Sequence, residues 1–167
     1  MAEERPALTA RLGMRTLALA ALLVLPLAAA ADPPVRRRLP QEELARETYA
    51  LVTDPDNLPM QVREMLAREL KQRRLRMAVA GEPYLSGDAA TDRALPPHRL
   101  ILAAVGEKHA IVHFESGGET AARRVMVFEL TSRGTELIWS GPVKRRLSAP
   151  VEFEAALKDG RLFEDER

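Results

Sequence analysis

The chain has 167 residues, 29 % of them charged and 4 % aromatic, with 12 prolines and no cysteine. That length supports one ordinary hydrophobic core, and the missing cysteine excludes a disulfide scaffold, a thiol enzyme and a lipid-anchored lipoprotein. With 25 basic against 24 acidic residues the net charge is +1, so no global electrostatic pull favours nucleic acid, and any polyanion would have to be met by a local patch.

Met14-Arg15-Thr16, the apolar run Leu17–Leu27 and the alanines Ala28–Ala31 give, in order, a basic start, an apolar core and a small-residue cleavage region. This is the layout of a secretory signal peptide. The run is interrupted by Pro26 and falls short of the roughly 20 residues that span a bilayer, so the mature chain is expected to carry no transmembrane anchor. Cleavage between Ala31 and Asp32 assigns residues 1–31 to the signal, with cleavage after Ala30 as the alternative. Glu3 and Glu4 suit the start of a signal poorly, which points to Met14 as the true start; a longer start kept positive by Arg5, Arg11 and Arg15 is the alternative. Removing residues 1–31 takes away three arginines and two glutamates and leaves the mature chain neutral. Arginine outnumbers lysine 21 to 4, a bias that hints at a GC-rich bacterial genome and, with the signal, at a periplasmic or secreted protein.

Residues 32–40 hold three prolines and the triplet Arg36-Arg37-Arg38 and read as a flexible leader. A first helix is expected over 41–52, with Glu42, Glu43 and Glu47 early, where the helix dipole favours negative charge. Thr53 to Asn57 is dense in turn formers, and Asn57 can cap a second helix over 59–78. In that segment Val62, Met65, Leu66, Leu70, Arg73 and Met77 recur at three- and four-residue intervals and give one apolar face. Residues 81–97 carry no sustained period and are expected as a long connection, either a surface crossing or a lid. Segments 99–105, 109–115, 122–131 and 135–143 are rich in β-formers and joined by short turns with glycine, the signature of an antiparallel meander. Ser148 can cap a short last helix to Leu157 that Gly160 stops, and 161–167 is a charged tail. The fold class is therefore α+β: an N-terminal helical hairpin packed on a four-stranded antiparallel meander, with a short C-terminal helix, in one domain over 41–160.

Strict alternation divides the strand residues into two faces. One set is Leu100, Leu102, Ala104, Ala110, Val112, Phe114, Met126, Phe128, Leu130, Leu137 and Trp139, almost wholly apolar and expected to receive the second helix. The other mixes Ile101, Ala103, Val105, Ile111, Val125, Val127 and Ile138 with His113, Glu115, Glu129, Glu136 and Ser140. Isoleucine and valine gain nothing by facing water, so this face is expected to be covered by the chain's own helix, a second copy or a partner. As an interaction face it would consist of Ile111, His113, Val125, Val127 and Ile138.

His113 and Glu115 share that face, with Glu129 and Glu136 on neighbouring strands, so a candidate acid/base set can be drawn from these four; the plainer alternative for His113 is a surface or partly buried imidazole. His109 is four residues from His113, about 13 Å at strand rise, too far to share an ion, and no metal or cofactor site is expected. No serine stands in a Gly-x-Ser-x-Gly elbow, Gly117-Gly118 lacks a phosphate-loop lysine, and Asp54-Pro55-Asp56-Asn57 lacks the glycine and final glutamate of a calcium loop. Lys71, Arg73, Arg74 and Arg76 form one basic cluster and Lys144-Arg145-Arg146 another. Either could engage an anionic surface, although cations at a helix C-terminus also offset the helix dipole. The leading expectation is an exported, non-enzymatic binding, inhibitor or accessory module of the bacterial cell envelope, whose partner is another envelope protein or a second copy. An enzyme using His113 with a nearby carboxylate, and a binder of anionic envelope surfaces through the basic clusters, are the alternatives.

Overall fold

The computed structural model describes residues 39–87, 94–118 and 122–163. The signal segment 1–31, its cleavage position at Ala31 and Asp32, the leader up to Arg38 and the end of the charged tail lie outside the described residues.

Helix α1, Gln41–Arg46, starts after Pro40 with Glu42 and Glu43 in its first turn and Arg46 in its last, the charge order the helix dipole favours. It stops well short of residue 52 because the chain behind it is needed elsewhere. Ala50–Val52 forms strand β1 and pairs antiparallel with Ala103–Val105, a tertiary contact that overrides local helix preference. A 3₁₀ turn follows over Pro55–Asn57, capped by the Asp54 carboxylate, which accepts from the Asp56 amide at 2.9 Å. Asn57 thus sits inside that turn, and helix α2, Met60–Glu69, begins behind Pro59 with no side-chain cap.

The second helix was expected to run to Ala78, and it ends nearly ten residues earlier. Lys71 adopts a left-handed φ of 55°, its amide bonds to the Arg68 carbonyl at 3.0 Å and the Gln72 amide to the Ala67 carbonyl at 2.8 Å. That pair of bonds is a Schellman closure, here with lysine in the place glycine usually takes. Met77–Ala78 then pairs parallel with His98–Arg99 as the short strand β2.

All four expected strands form the meander: β3 His98–Val105, β4 His109–Ser116, β5 Ala122–Thr131 and β6 Gly134–Pro142. The sheet order is β1-β3-β4-β5-β6, with β2 also on β3, so two short strands extend the four-stranded core at one edge. Helix α3, Pro150–Lys158, has Ala149 rather than Ser148 at its cap position, and a 3₁₀ turn over Arg161–Phe163 begins the tail.

The helices lie on both faces of the sheet. Leu58, Val62 and Leu66 from the α2 region pack on Leu100, Ala103, Val112, Phe114, Met126 and Phe128. On the opposite face Leu44 of α1 and Phe153, Ala156 and Leu157 of α3 pack with Leu147 on Leu102, Ala104, Ile111, Val125, Val127 and Ile138. The two N-terminal helices therefore do not make a hairpin on one face: β1 stands between them in the chain and they cover opposite sides.

Two bulges rearrange the faces drawn from strict alternation. The β3–β4 register shifts between Leu100 and Leu102, leaving Ile101 extra, and the β5–β6 register shifts between Val127 and Phe128, opposite Ile138. Beyond a bulge every side chain changes side. Leu102, Ala104 and Trp139 consequently join the α3 face, and Ala103 and Val105 join the α2 face.

Candidate functional site

The register decides what became of the four-residue acid/base set. His113 pairs with Leu102 and Val125, Glu115 with Arg99 and Arg123, Glu129 with His109, and Glu136 with Glu129. Glu129 and Glu136 thus belong to the His109 row, about 13 Å along the strand from His113. One set on paper is two separate rows in the sheet.

His113 itself is fully buried and neither ring nitrogen has a hydrogen-bond partner. The Leu147 carbonyl approaches the ring and favours protonation without meeting a nitrogen in hydrogen-bond geometry, and burial outweighs it, pushing the imidazole down to about 4. The side chain is a neutral part of the core, and none of the described clefts is lined by it. Ile111, Val125, Val127 and Ile138, drawn above as the rest of an interaction face, are buried with it under α1 and α3. The mixed face is a second core layer supplied by the chain's own helices, because the apolar residues of α3 and Leu44 match its isoleucines and valines.

Glu115 is occupied by arginines. Arg99 donates to its Oε2 through Nη2 at 2.6 Å and Nε at 3.1 Å, Arg123 Nε reaches Oε1 at 3.4 Å, and Arg146 Nε lies 3.8 Å away. Burial alone would raise the carboxyl, but the Arg99 hydrogen bonds and the Arg146 and Arg123 guanidiniums hold it below its ordinary value. It is a permanent carboxylate, unsuited to deliver a proton at neutral pH. Tyr84 lies over the Arg99 guanidinium at 4.4 Å. The described parts of the 81–97 connection are pinned as well: the Leu85 amide bonds to the Pro96 carbonyl and the Gly117 amide to that of Pro97, both at 3.0 Å. Gly117 permits this contact, since a Cβ there would overlap the Leu85 carbonyl.

A second His–carboxylate pair was not foreseen. Glu47 Oε2 meets His109 Nδ1 at 2.7 Å, and Glu47 Oε1 accepts the amides of Lys108 at 2.6 Å and His109 at 3.3 Å. Burial would raise the Glu47 carboxyl, and these bonds reverse that and lower it. Tyr49 closes the group by donating to the Leu44 carbonyl at 3.1 Å. Glu47 clamps the end of α1 onto the β3–β4 hairpin, and Gly106 leaves room for it, because a Cβ there would overlap Glu47 Oε1. The adjoining cleft of about 260 Å³ is lined by Glu43, Arg46, Glu107 and Lys108 besides the pair itself, with no hydroxyl or thiol to activate. Among the described residues no group of three or more His, Asp or Glu could hold a metal ion.

Of the basic cluster Lys71, Arg73, Arg74 and Arg76, only Lys71 sits at the C-terminal closure of α2 and the other three lie beyond it, so the helix dipole does not account for the whole cluster. They belong to a folded turn. Gln72 Oε1 accepts the Arg76 amide at 2.7 Å, and the Arg76 guanidinium donates to the carbonyls of Ala94 at 3.0 Å and Leu95 at 3.2 Å. The turn doubles back beside α2 and encloses a cleft of about 610 Å³, the largest of those described. Arg63, Arg68, Arg73 and Arg74 line it together with Met60, Leu75 and the two acidic residues Asp56 and Glu64. Arg63 reaches Asp56 at 3.5 Å, whereas Arg68, Arg73 and Arg74 form no hydrogen bond or ion pair with the described residues. Sequence reasoning found two of these four arginines, Arg73 and Arg74, but not the turn that folds them back beside α2.

Comparison with protein-family models, with curated proteins and with solved structures returns no match. Among the described residues no helix is long and apolar enough to cross a membrane.

Proposed function

We propose that this chain is exported to the bacterial cell envelope and acts there as a non-enzymatic binding module, with the arginine-lined cleft beside α2 as the site for an anionic partner. The observation that carries this reading is that four arginines line the largest described cleft, three of them without a hydrogen-bond or ion-pair partner among the described residues. The two buried carboxylates, by contrast, are consumed by the fold: Glu115 by three arginines and Glu47 by the hairpin. Arginines left unpaired around a concave surface gain most from an anion that several of them can hold at once.

The test compares two charge-reversed proteins of equal net charge. Arg68→Glu with Arg74→Glu changes the cleft, and Arg145→Glu with Lys158→Glu changes exposed sites elsewhere. On a carboxylate-bearing cation-exchange matrix the cleft variant is expected to elute at clearly lower salt than the control. Equal elution of the two would show that the cleft is not where the protein meets anions. Export is checked separately: the full chain made in a bacterial host is expected in the periplasmic or secreted fraction with Asp32 at its N-terminus, and an uncleaved cytoplasmic chain would remove that half of the proposal.

A further inference from the structure

We infer that the occupant of the α2 cleft is an extended acidic segment of a partner polypeptide, an inference that rests on the reading of the cleft as an anion site. The charges are spread around the cleft. Arg63 and Arg68 are five residues apart on α2, about 7.5 Å along its axis and about 140° around it, and Arg73 and Arg74 line the same cleft from the turn. A single phosphate needs donors that converge on one point. An extended chain carries same-side side chains about 6.7 Å apart, so acidic residues at every second position can meet separate arginines. The whole of α2, ten residues and about 15 Å, offers room for four or five such residues.

The side chains between the charges favour a peptide too. Met60 is 65 % exposed at the cleft, and Leu75 and Met77 continue an apolar floor between the arginines. Methionine adapts its shape to a partner's side chains, and methionine and arginine are the residue types enriched where proteins meet proteins, whereas lysine is depleted there. No lysine lines this cleft. Planar guanidiniums pair with carboxylates through two parallel hydrogen bonds, which a flat bilayer cannot bring into a trough. The Schellman closure at Lys71, the Gln72 bond and the Arg76 anchor fix the turn in advance, so little ordering is left for the moment of binding.

The test is fluorescence anisotropy on the signal-processed protein with a labelled peptide of about eight residues alternating glutamate and leucine. Controls are the same peptide with glutamine for glutamate, inorganic phosphate, and vesicles containing phosphatidylglycerol. The acidic peptide is expected to bind, to weaken as salt is raised, and to lose about tenfold or more in affinity in the Arg68→Glu, Arg74→Glu protein while the Arg145→Glu, Lys158→Glu protein binds it normally. Arg68→Lys with Arg74→Lys, which keeps charge but not the paired geometry, is expected to fall between. If phosphate or vesicles bind in a cleft-dependent way and the peptide does not, the anion site stands and the peptide inference is overturned. If nothing binds in a way that depends on the cleft, both fall.

Discussion

An imidazole with no hydrogen-bond partner, sealed under Leu147 and α3, makes His113 a cost to the fold. Its pKa in the folded protein is about 4, against about 6.5 in an unfolded chain. Between these values the unfolded state binds the proton and the folded state does not, so stability rises with pH there. The contribution is complete above pH 6.5 and is lost as pH falls toward 4, a total of about 3 kcal/mol. Glu115, Arg123 and Arg146 are the charged groups that act on the ring, and His98, whose imidazole burial also pushes down, adds a slope of the same sign. Replacing His113 by Leu is expected to reduce the pH slope of urea-denaturation stability between pH 6.5 and 4.5, leaving the part that His98 supplies, and to raise stability at pH 7 by about 1–3 kcal/mol by removing two unpaired buried nitrogens. An unchanged pH slope would mean that the imidazole is solvated. Alternation along β4 assigns this residue its face but not its burial, since burial depends on what α3 contributes some 40 residues later. The Glu47–His109 clamp was illegible for a related reason: its partners are 62 residues apart and meet only through the β1–β3 pairing.

At the scale of elements, legibility followed the turn chemistry. The four meander strands lie between glycine-containing turns, and their limits were read to within a residue or so. The end of α2 had no such mark, because no glycine or proline falls between Met60 and Ala80 and the apolar spacing continues to Met77. The helix stops through Lys71 in the left-handed region, a conformation that costs a side-chain-bearing residue roughly 1–2 kcal/mol. Lys71→Gly is therefore expected to raise stability by about 1 kcal/mol in thermal or denaturant unfolding, without altering α2. A loss of stability would show that the lysine side chain contributes more than its backbone costs. The bulges at Ile101 and Ile138 were equally invisible, since a bulge is a property of two strands in register and both of these residues look like ordinary strand formers.

Across the whole molecule the two faces of the sheet have different fates, and that difference bears on function. A mixed face of isoleucine, valine, histidine and glutamate can be either a docking surface or a core layer, and composition alone gives the same signal for both. Here α1 and α3 close it, which leaves the cleft on the α2 side, where Arg68, Arg73 and Arg74 have no hydrogen-bond or ion-pair partner among the described residues, as the candidate surface. The consequence is a contrast between two substitutions. Val127 is fully buried under the α3 layer, so Val127→Lys places an unpaired charge in the core and is expected to remove most of the roughly 5–15 kcal/mol that holds such a domain together. Circular dichroism should find that protein unfolded or aggregated, whereas the Arg68→Glu, Arg74→Glu protein should melt within a few degrees of the original. A folded Val127→Lys protein with a changed oligomeric state would put a partner, not α3, over that face, and the search for the binding surface would move from the arginine cleft to the other side of the sheet.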